Sequence, residues 1–279
     1  MREPDYIPYI IVLLFVVAVL FLLIGRRWIH TAMGRPSVAV GNGQTIGRRN
    51  EQDDYFSSIS TSNGTLAVVA DGISGLTNGR LASTVAVTTF VREFVSQDRI
   101  TDLPAFFTQV ARQANREILH QLRGARGGTT LVAAVVHHSR LYWGAVGDST
   151  ITVYRNRQFI SLNRMHILEQ ELKLRCLAGE ITREAAISHP MRKRLVNYLG
   201  FDGFKNLDVC TEPFLLQKGD KVILLSDGVY NTLSEVELED ILSRELSPFE
   251  AAEQMIHAIE QKGFKFQDNA TVLILEQRH

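Results

Sequence analysis

The sequence predicts an α+β fold preceded by one membrane-spanning helix. Short aliphatic runs rich in Val, Ile and Leu, each closed by turn residues, recur from residue 66 to residue 275 and read as buried strands. Segments with a helical period fall in clusters between these runs instead of alternating strictly with them, which favours α+β over a parallel α/β sheet. The stretch from Ile7 to Ile24 holds 18 residues and no charge.

At roughly 1.5 Å per residue that stretch spans about 27 Å as a helix, close to the ~30 Å hydrocarbon layer. Tyr6, Tyr9 and Trp28 stand where interfacial aromatics belong, and Arg26, Arg27, His30 and Arg35 follow. The basic excess on the C-terminal side places the bulk of the chain in the cytoplasm. A cleaved signal peptide fits less well, because the leading region is not clearly basic and no small-x-small cleavage site follows. The expected organisation is a transmembrane helix within 1–24, a basic juxtamembrane linker over 25–36, and one domain over 37–279.

Within that domain the strand candidates are Leu66–Ala70, Thr130–Val136, Arg140–Val146, Ile151–Arg155, Val222–Ser226 and Ala270–Glu276. Gly79 to Val95 carries Leu81, Val85, Phe90 and Phe94 on a near-helical period. Asp102-Leu103-Pro104 opens a helix that runs to about Arg123, before Gly124. Ser234-Glu235-Val236-Glu237 and Ser247-Pro248-Phe249-Glu250 fit capping boxes, the second with Pro at the first helical position. Phe249, Ala252, Ile256 and Ile259 give that last helix an apolar face, and Gly263 stops it. His137-His138-Ser139-Arg140 reads as a hairpin turn with exposed histidines.

Formal charge is balanced at 30 basic and 30 acidic residues, which leaves no electrostatic footprint for nucleic acid. Two cysteines, Cys176 and Cys210, suit a reducing compartment and show no metal-ligand spacing.

The chemistry concentrates in acidic residues at the ends of apolar runs. Leu66–Ala70 runs into Asp71-Gly72, and Val222–Ser226 into Asp227-Gly228. Asp53-Asp54 precedes Tyr55-Phe56, Asp148 follows Leu141–Gly147, and Asp268 precedes Ala270–Leu275. Any one Asp-Gly is an ordinary turn. Several carboxylates converging from strand ends would repel, and burying them unpaired costs several kcal/mol. Hard divalent cations with a preference for oxygen ligands, Mg²⁺ or Mn²⁺, remove that cost. The set therefore suggests a two-metal hydrolytic centre.

These blocks resemble the metal-dependent protein phosphatases of type 2C, most closely the bacterial branch, from about Val40 to Leu275. The resemblance rests on Gly47-Arg48-Arg49-Asn50-Glu51-Gln52-Asp53-Asp54, Val69-Ala70-Asp71-Gly72, Gly128-Thr129-Thr130, Val146-Gly147-Asp148-Ser149, Ser226-Asp227-Gly228 and Asp268-Asn269-Ala270-Thr271, in family order. It implies a four-layer α-β-β-α sandwich of two antiparallel sheets flanked by helices. It also implies two Mn²⁺ or Mg²⁺ ions held by Asp53, Asp71, the Gly72 carbonyl, Asp227 and Asp268, and a third, weaker ion at Asp148. Arg48 would bind the substrate phosphate. A water bridging the two metals would attack phosphorus in phosphoserine or phosphothreonine of a protein substrate, with a Ser/Thr kinase as natural opponent and membrane lipid met through the N-terminal helix.

Four positions depart from the family pattern: Ile73 where some relatives carry His, Gln52 for Glu, Thr150 for Arg, and Met165-His166 for Asp-His. Two other functions compete: a catalytically inert phosphatase-like sensor at the membrane, and a hydrolase of small phosphate esters.

Overall fold

The computed structural model describes residues 37–73, 76–205 and 207–278, together with Phe15, Val17, Ala18, Val19 and Phe21. Val38–His279 forms one compact unit and Met1–Ser37 another. The expected membrane helix and basic linker lie mostly outside the described residues. The five N-terminal positions described are helical, with Phe15 70% and Phe21 79% exposed. Among the described residues no helix is long and apolar enough to cross a membrane.

Among the described residues eleven strands make two antiparallel sheets. The first takes the order β1 (Val38–Thr45), β11 (Ala270–Gln277), β10 (Lys221–Leu225), β6 (Thr150–Arg155), β7 (Gln158–Ser161). The second takes the order β2 (Tyr55–Thr61), β3 (Gly64–Ala70), β4 (Leu131–His137), β5 (Arg140–Val146), β8 (Asp208–Val209), with β9 (Phe214–Leu215) also on β5. Facing side chains such as Val69, Val132 and Ala134 from one sheet and Val153, Val222 and Leu273 from the other close the central core.

Helices cover both outer faces. On the second sheet lie α1 (Gly79–Ser96) and α2 (Leu103–Leu122), whose Phe90, Phe94, Phe106 and Phe107 rings interlock at centroid distances of 5.9–6.5 Å. On the first lie α6 (Glu235–Leu242) and α7 (Pro248–Lys262), burying Leu238, Met255 and Ile259. Two short helices, α3 (Leu168–Leu177) and α4 (Arg183–Ile187), stand apart in the segment between β7 and β8, and α5 (Asp227–Tyr230) follows β10.

This layering explains which strands the sequence reveals. β3 and β4 are covered on both faces, so they read as unbroken apolar runs. β1, β2, β7, β8 and β9, none of them among the sequence candidates, all lie at sheet edges; the first three mix polar with apolar residues, and the last two are only two residues long. Helix ends follow the capping residues: Asp102 accepts the Ala105 N–H, both Ser/Glu capping boxes form, and Gly263 ends α7 in the left-handed region at φ 59°. One expectation fails. Phe249 is 50% exposed; Ala251, Ala252, Met255, Ile256 and Ile259 make the inner face of α7, while Pro248 takes the inward place at its start. A second fails in part: the β4–β5 hairpin turns through His138 and Ser139 at φ 51° and 57° with His138 exposed, but His137, expected in the turn and exposed, is the half-buried last residue of β4.

Candidate active site

The aspartates meet where β3, β10 and β11 begin or end at one edge of the sandwich. Asp71 leaves β3 with its N–H bonded to Thr130 Oγ1 (3.1 Å) and its carbonyl accepting Thr129 Oγ1 (2.9 Å) and the Thr130 N–H (2.8 Å). Thr130 Oγ1 also meets Ser149 Oγ at 2.7 Å, which ties the Asp71 strand to the loop carrying Asp148. Tyr230 holds that loop from the other side, its hydroxyl donating to the Asp148 carbonyl at 3.1 Å. Asp227 opens α5 instead of closing β10, with Ser226 as N-cap.

Burial and mutual repulsion shape this cluster. Asp71 is pushed well above the ordinary carboxylate range by burial and then by Asp54, Asp227, Asp148 and Asp268. Burial, then Asp227, raises Asp148 to about 6. Asp227 is raised by burial and Asp268, while a hydrogen bond with Asp71 offsets part of the shift. The exposed Lys193 adds a favourable field at Asp148 and Asp227. Among the described residues no three of His, Cys, Asp or Glu close around one point.

The structure divides the Asp53–Asp54 pair. Asp53 faces the start of α1, where its carboxylate accepts the Arg80 N–H, and burial raises it. Asp54 points the other way and is 2% exposed. Its Oδ2 accepts from Thr271 Oγ1 (2.7 Å) and Ser226 Oγ (2.8 Å), and its Oδ1 is buried with no hydrogen-bond partner. Burial, opposed by those two hydroxyls, lifts Asp54 to about 7. Of the pair, Asp54 is the one whose charge acts on Asp71.

The neighbouring arginines divide in the same sense. Gly47, at φ 64°, lets the 46–49 turn press on the backbone of 267–268; a Cβ there would collide with the carbonyls of both. Arg49 thereby reaches Asp268, Nη2 to Oδ2 2.7 Å, with its side chain 42% exposed. Arg48, the sequence candidate, borders a groove with Thr45, Glu260 and Phe264, and among the described residues its side chain forms no ion pair with a site aspartate. Asn269 fastens the turn: its Oδ1 accepts the Asp53 N–H (2.8 Å), and its Nδ2 donates to the carbonyls of Ile46 (2.9 Å) and Glu51 (3.0 Å).

The other departures have structural roles. Gln52 Oε1 accepts the Asp54 N–H and its Nε2 donates to the Thr45 carbonyl, so an amide, a donor as well as an acceptor, serves there. His166 pins the loop before Asp148: its backbone N–H donates to the Gly147 carbonyl at 2.7 Å and its ring Nδ1 accepts the Gly147 N–H at 3.4 Å; burial lowers its pKa. Ile73 donates its N–H to Gly128 O. Both cysteines are free, Cys210 buried.

The donor set fits hard cations. It is all oxygen, several carboxyls are held above their ordinary range, and one buried carboxylate oxygen has no partner. Gly72 is bridged to Thr129 and packed so closely on Gly79 that no side chain fits there, leaving its main chain at the cluster.

The protein phosphatase 2C family matches residues 43–263. Serine/threonine phosphatase stp of Listeria welshimeri is 32% identical over 239 residues, spanning 82% of this chain and 91% of that protein. The S. agalactiae serine/threonine phosphatase superposes with a TM-score of 0.76 at 26% identity, covering 86% of this chain and 99% of that one. The catalytic domain of serine/threonine protein phosphatase PstP, solved in complex with two manganese ions, has the same fold at TM-score 0.69 and 23% identity, covering 87% and 99%. The chain belongs to the protein phosphatase 2C family.

Proposed function

We propose that this chain is a protein serine/threonine phosphatase that hydrolyses phosphoserine and phosphothreonine with Mn²⁺ or Mg²⁺ held at the aspartate cluster, anchored to a membrane by its N-terminal segment with the catalytic domain in the cytoplasm. The reaction class rests on the family and on relatives that carry that activity in their names. The observation that carries the site is the group of carboxyls around Asp71, each raised by burial and by its neighbours. Such a group is costly without cations and favourable with them.

Asp71, Asp227, Asp268 and the Gly72 carbonyl would hold the principal ions, with Asp54 behind them, Asp53 at the rim and Asp148 toward a third. The manganese in PstP supports the choice of ion. When bound, such ions lower the pKa of water toward neutrality and offset charge on phosphoryl oxygens. The chain's own part is positioning. Asn269, Thr130 and Tyr230 fix the backbone that carries the carboxylates. We assign phosphate binding to Arg49 in place of Arg48, because its half-exposed guanidinium already rests on the Asp268 carboxylate at the site's edge. A planar guanidinium can grip two phosphoryl oxygens at once. The bare apolar Phe15 and Phe21 in the N-terminal helical positions support the anchor, and a kinase acting on the same proteins is the expected opponent.

The test is phosphate release from a phosphothreonine peptide, compared with a free sugar phosphate, in Mn²⁺, in Mg²⁺ and in excess EDTA. Turnover of the peptide that EDTA removes and Asp71→Asn abolishes is expected. No turnover from folded protein with either metal would overturn the reading in favour of an inert sensor.

A further inference from the structure

A second cavity lies close to the aspartates on the outer face of the first sheet. It encloses about 420 Å³ between β6, β7 and β10 below and α6 and α7 above, within the ~300–1,000 Å³ range that small ligands occupy. Its inner end is buried and apolar: Ile223 and Leu225 of the floor and Met255 of the roof are at most 5% exposed, while Thr150, Thr152 and Ser161 add hydroxyls along β6 and β7. Two aromatic residues, Phe159 and Tyr230, and the exposed acid Glu235 at the mouth also line it, and no Lys or Arg does. Among the described residues Glu235 makes no ion pair, and the capping box at the start of α6 uses Glu237 instead.

That lining selects a chemistry. A phosphorylated or otherwise anionic molecule would meet a carboxylate and find no cation, so the cavity is not an extension of a phosphate-binding site. An apolar body suits the floor, and a protonated amine suits aromatic faces beside a carboxylate. Tyr230 connects the cavity to the aspartates. Its ring lines the wall while its hydroxyl holds the Asp148 carbonyl at 3.1 Å, and it ends the same short helix that Asp227 begins. An occupant that displaces the Tyr230 hydroxyl therefore acts on one of the bonds that hold the Asp148 loop.

We propose that this cavity is a regulatory site for a small apolar amine, read out at Asp148 through Tyr230. Only the readout rests on the phosphatase reading; the binding does not.

The test uses full-length chain labelled at methionine methyls, because Met165 and Met255 line the cavity while Met191 lies outside it on the surface. The probes share an indole body: tryptamine, its alcohol analogue tryptophol, and indole-3-acetate. The expected result is a saturable shift of the Met165 and Met255 methyl resonances with tryptamine, Met191 unmoved. Affinity should fall from tryptamine to tryptophol and be at least about 10-fold weaker for indole-3-acetate. Glu235→Gln should bring tryptamine down to the level of tryptophol. No shift at Met165 and Met255 with any probe, or equal affinity for all three, overturns the site. Saturating tryptamine should also change phosphate release by wild type, and Glu235→Gln should need a higher tryptamine concentration for the same change. Binding without any change in turnover overturns the regulatory role and leaves the catalytic reading standing, whereas protein that binds tryptamine but releases no phosphate at all marks the failure of the phosphatase reading.

Discussion

Two adjacent arginines and two adjacent aspartates carry the sharpest predictions at the residue scale. Each arginine stands five residues before one of the aspartates, so spacing alone serves Arg48–Asp53 and Arg49–Asp54 equally. Tertiary contacts separate them: Arg49 reaches Asp268, and Asp54 reaches Ser226 and Thr271. Arg49→Ala is expected to raise KM for a phosphopeptide by about 10- to 100-fold with little change in kcat, the size of a lost charge-assisted hydrogen bond. Arg48→Ala should stay within about 2-fold in the same assay, since it removes no charge-assisted contact at the site; the reverse pattern would return phosphate binding to Arg48. Asp54 titrates near 7 in the folded protein against 3.8 for the unperturbed group. The folded state then binds more protons than the unfolded chain between those values, so in EDTA stability should fall as pH rises from about 4 to about 7. Asp54→Asn should flatten that fall and raise Tm in EDTA at pH 8 by on the order of 5 °C. A calorimetric scan across pH checks both, and a Tm in EDTA that rises toward pH 7 would refute the assignment.

At the scale of elements, the helix boundaries were legible because they are set locally. Asp102, Ser234, Ser247 and Gly263 act within one turn of themselves, and each does in the structure what its position in the sequence predicts. Ser247→Ala removes the hydroxyl half of the box that starts α7, the acceptor for the Glu250 N–H, and leaves the Ser247 N–H on the Glu250 carboxylate. It should cost about 1 kcal/mol, a fall of roughly 2–4 °C in Tm for a domain of this size, with turnover at 25 °C unchanged. The central strands were legible for a related reason, since burial on both faces demands an uninterrupted apolar run. Edge strands meet no such demand. β2 reads YFSSIST and β7 reads QFIS, and only pairing with β3 and β6 makes them strands. The misplaced Phe249 has the same origin: helical period puts it on the apolar face, but it lies in the first turn, where Pro248 already fills the inward position.

For the whole molecule, the proposed anchor makes a prediction independent of catalysis. Full-length chain should sediment with membranes and resist extraction by high salt and alkaline carbonate, while the fragment from Ser37 onward stays in the supernatant; release of the full-length chain by carbonate would remove the spanning helix. The fragment has its own core, because Val38–His279 is a compact unit. The sequence alone determined the α+β class, the order of the family blocks and the presence of Asp71, Gly72, Asp148, Asp227 and Asp268, since each is a property of a short stretch. Tertiary structure decided what depends on residues far apart in the chain. Asn269 sets the turn that carries Arg49 from more than two hundred positions away. The hydroxyls of Ser226 and Thr271 draw Asp54 inward. The rise of the carboxyl pKa values comes first from burial and then from like charges brought together at strand and helix ends, and neither is contained in any local stretch of sequence.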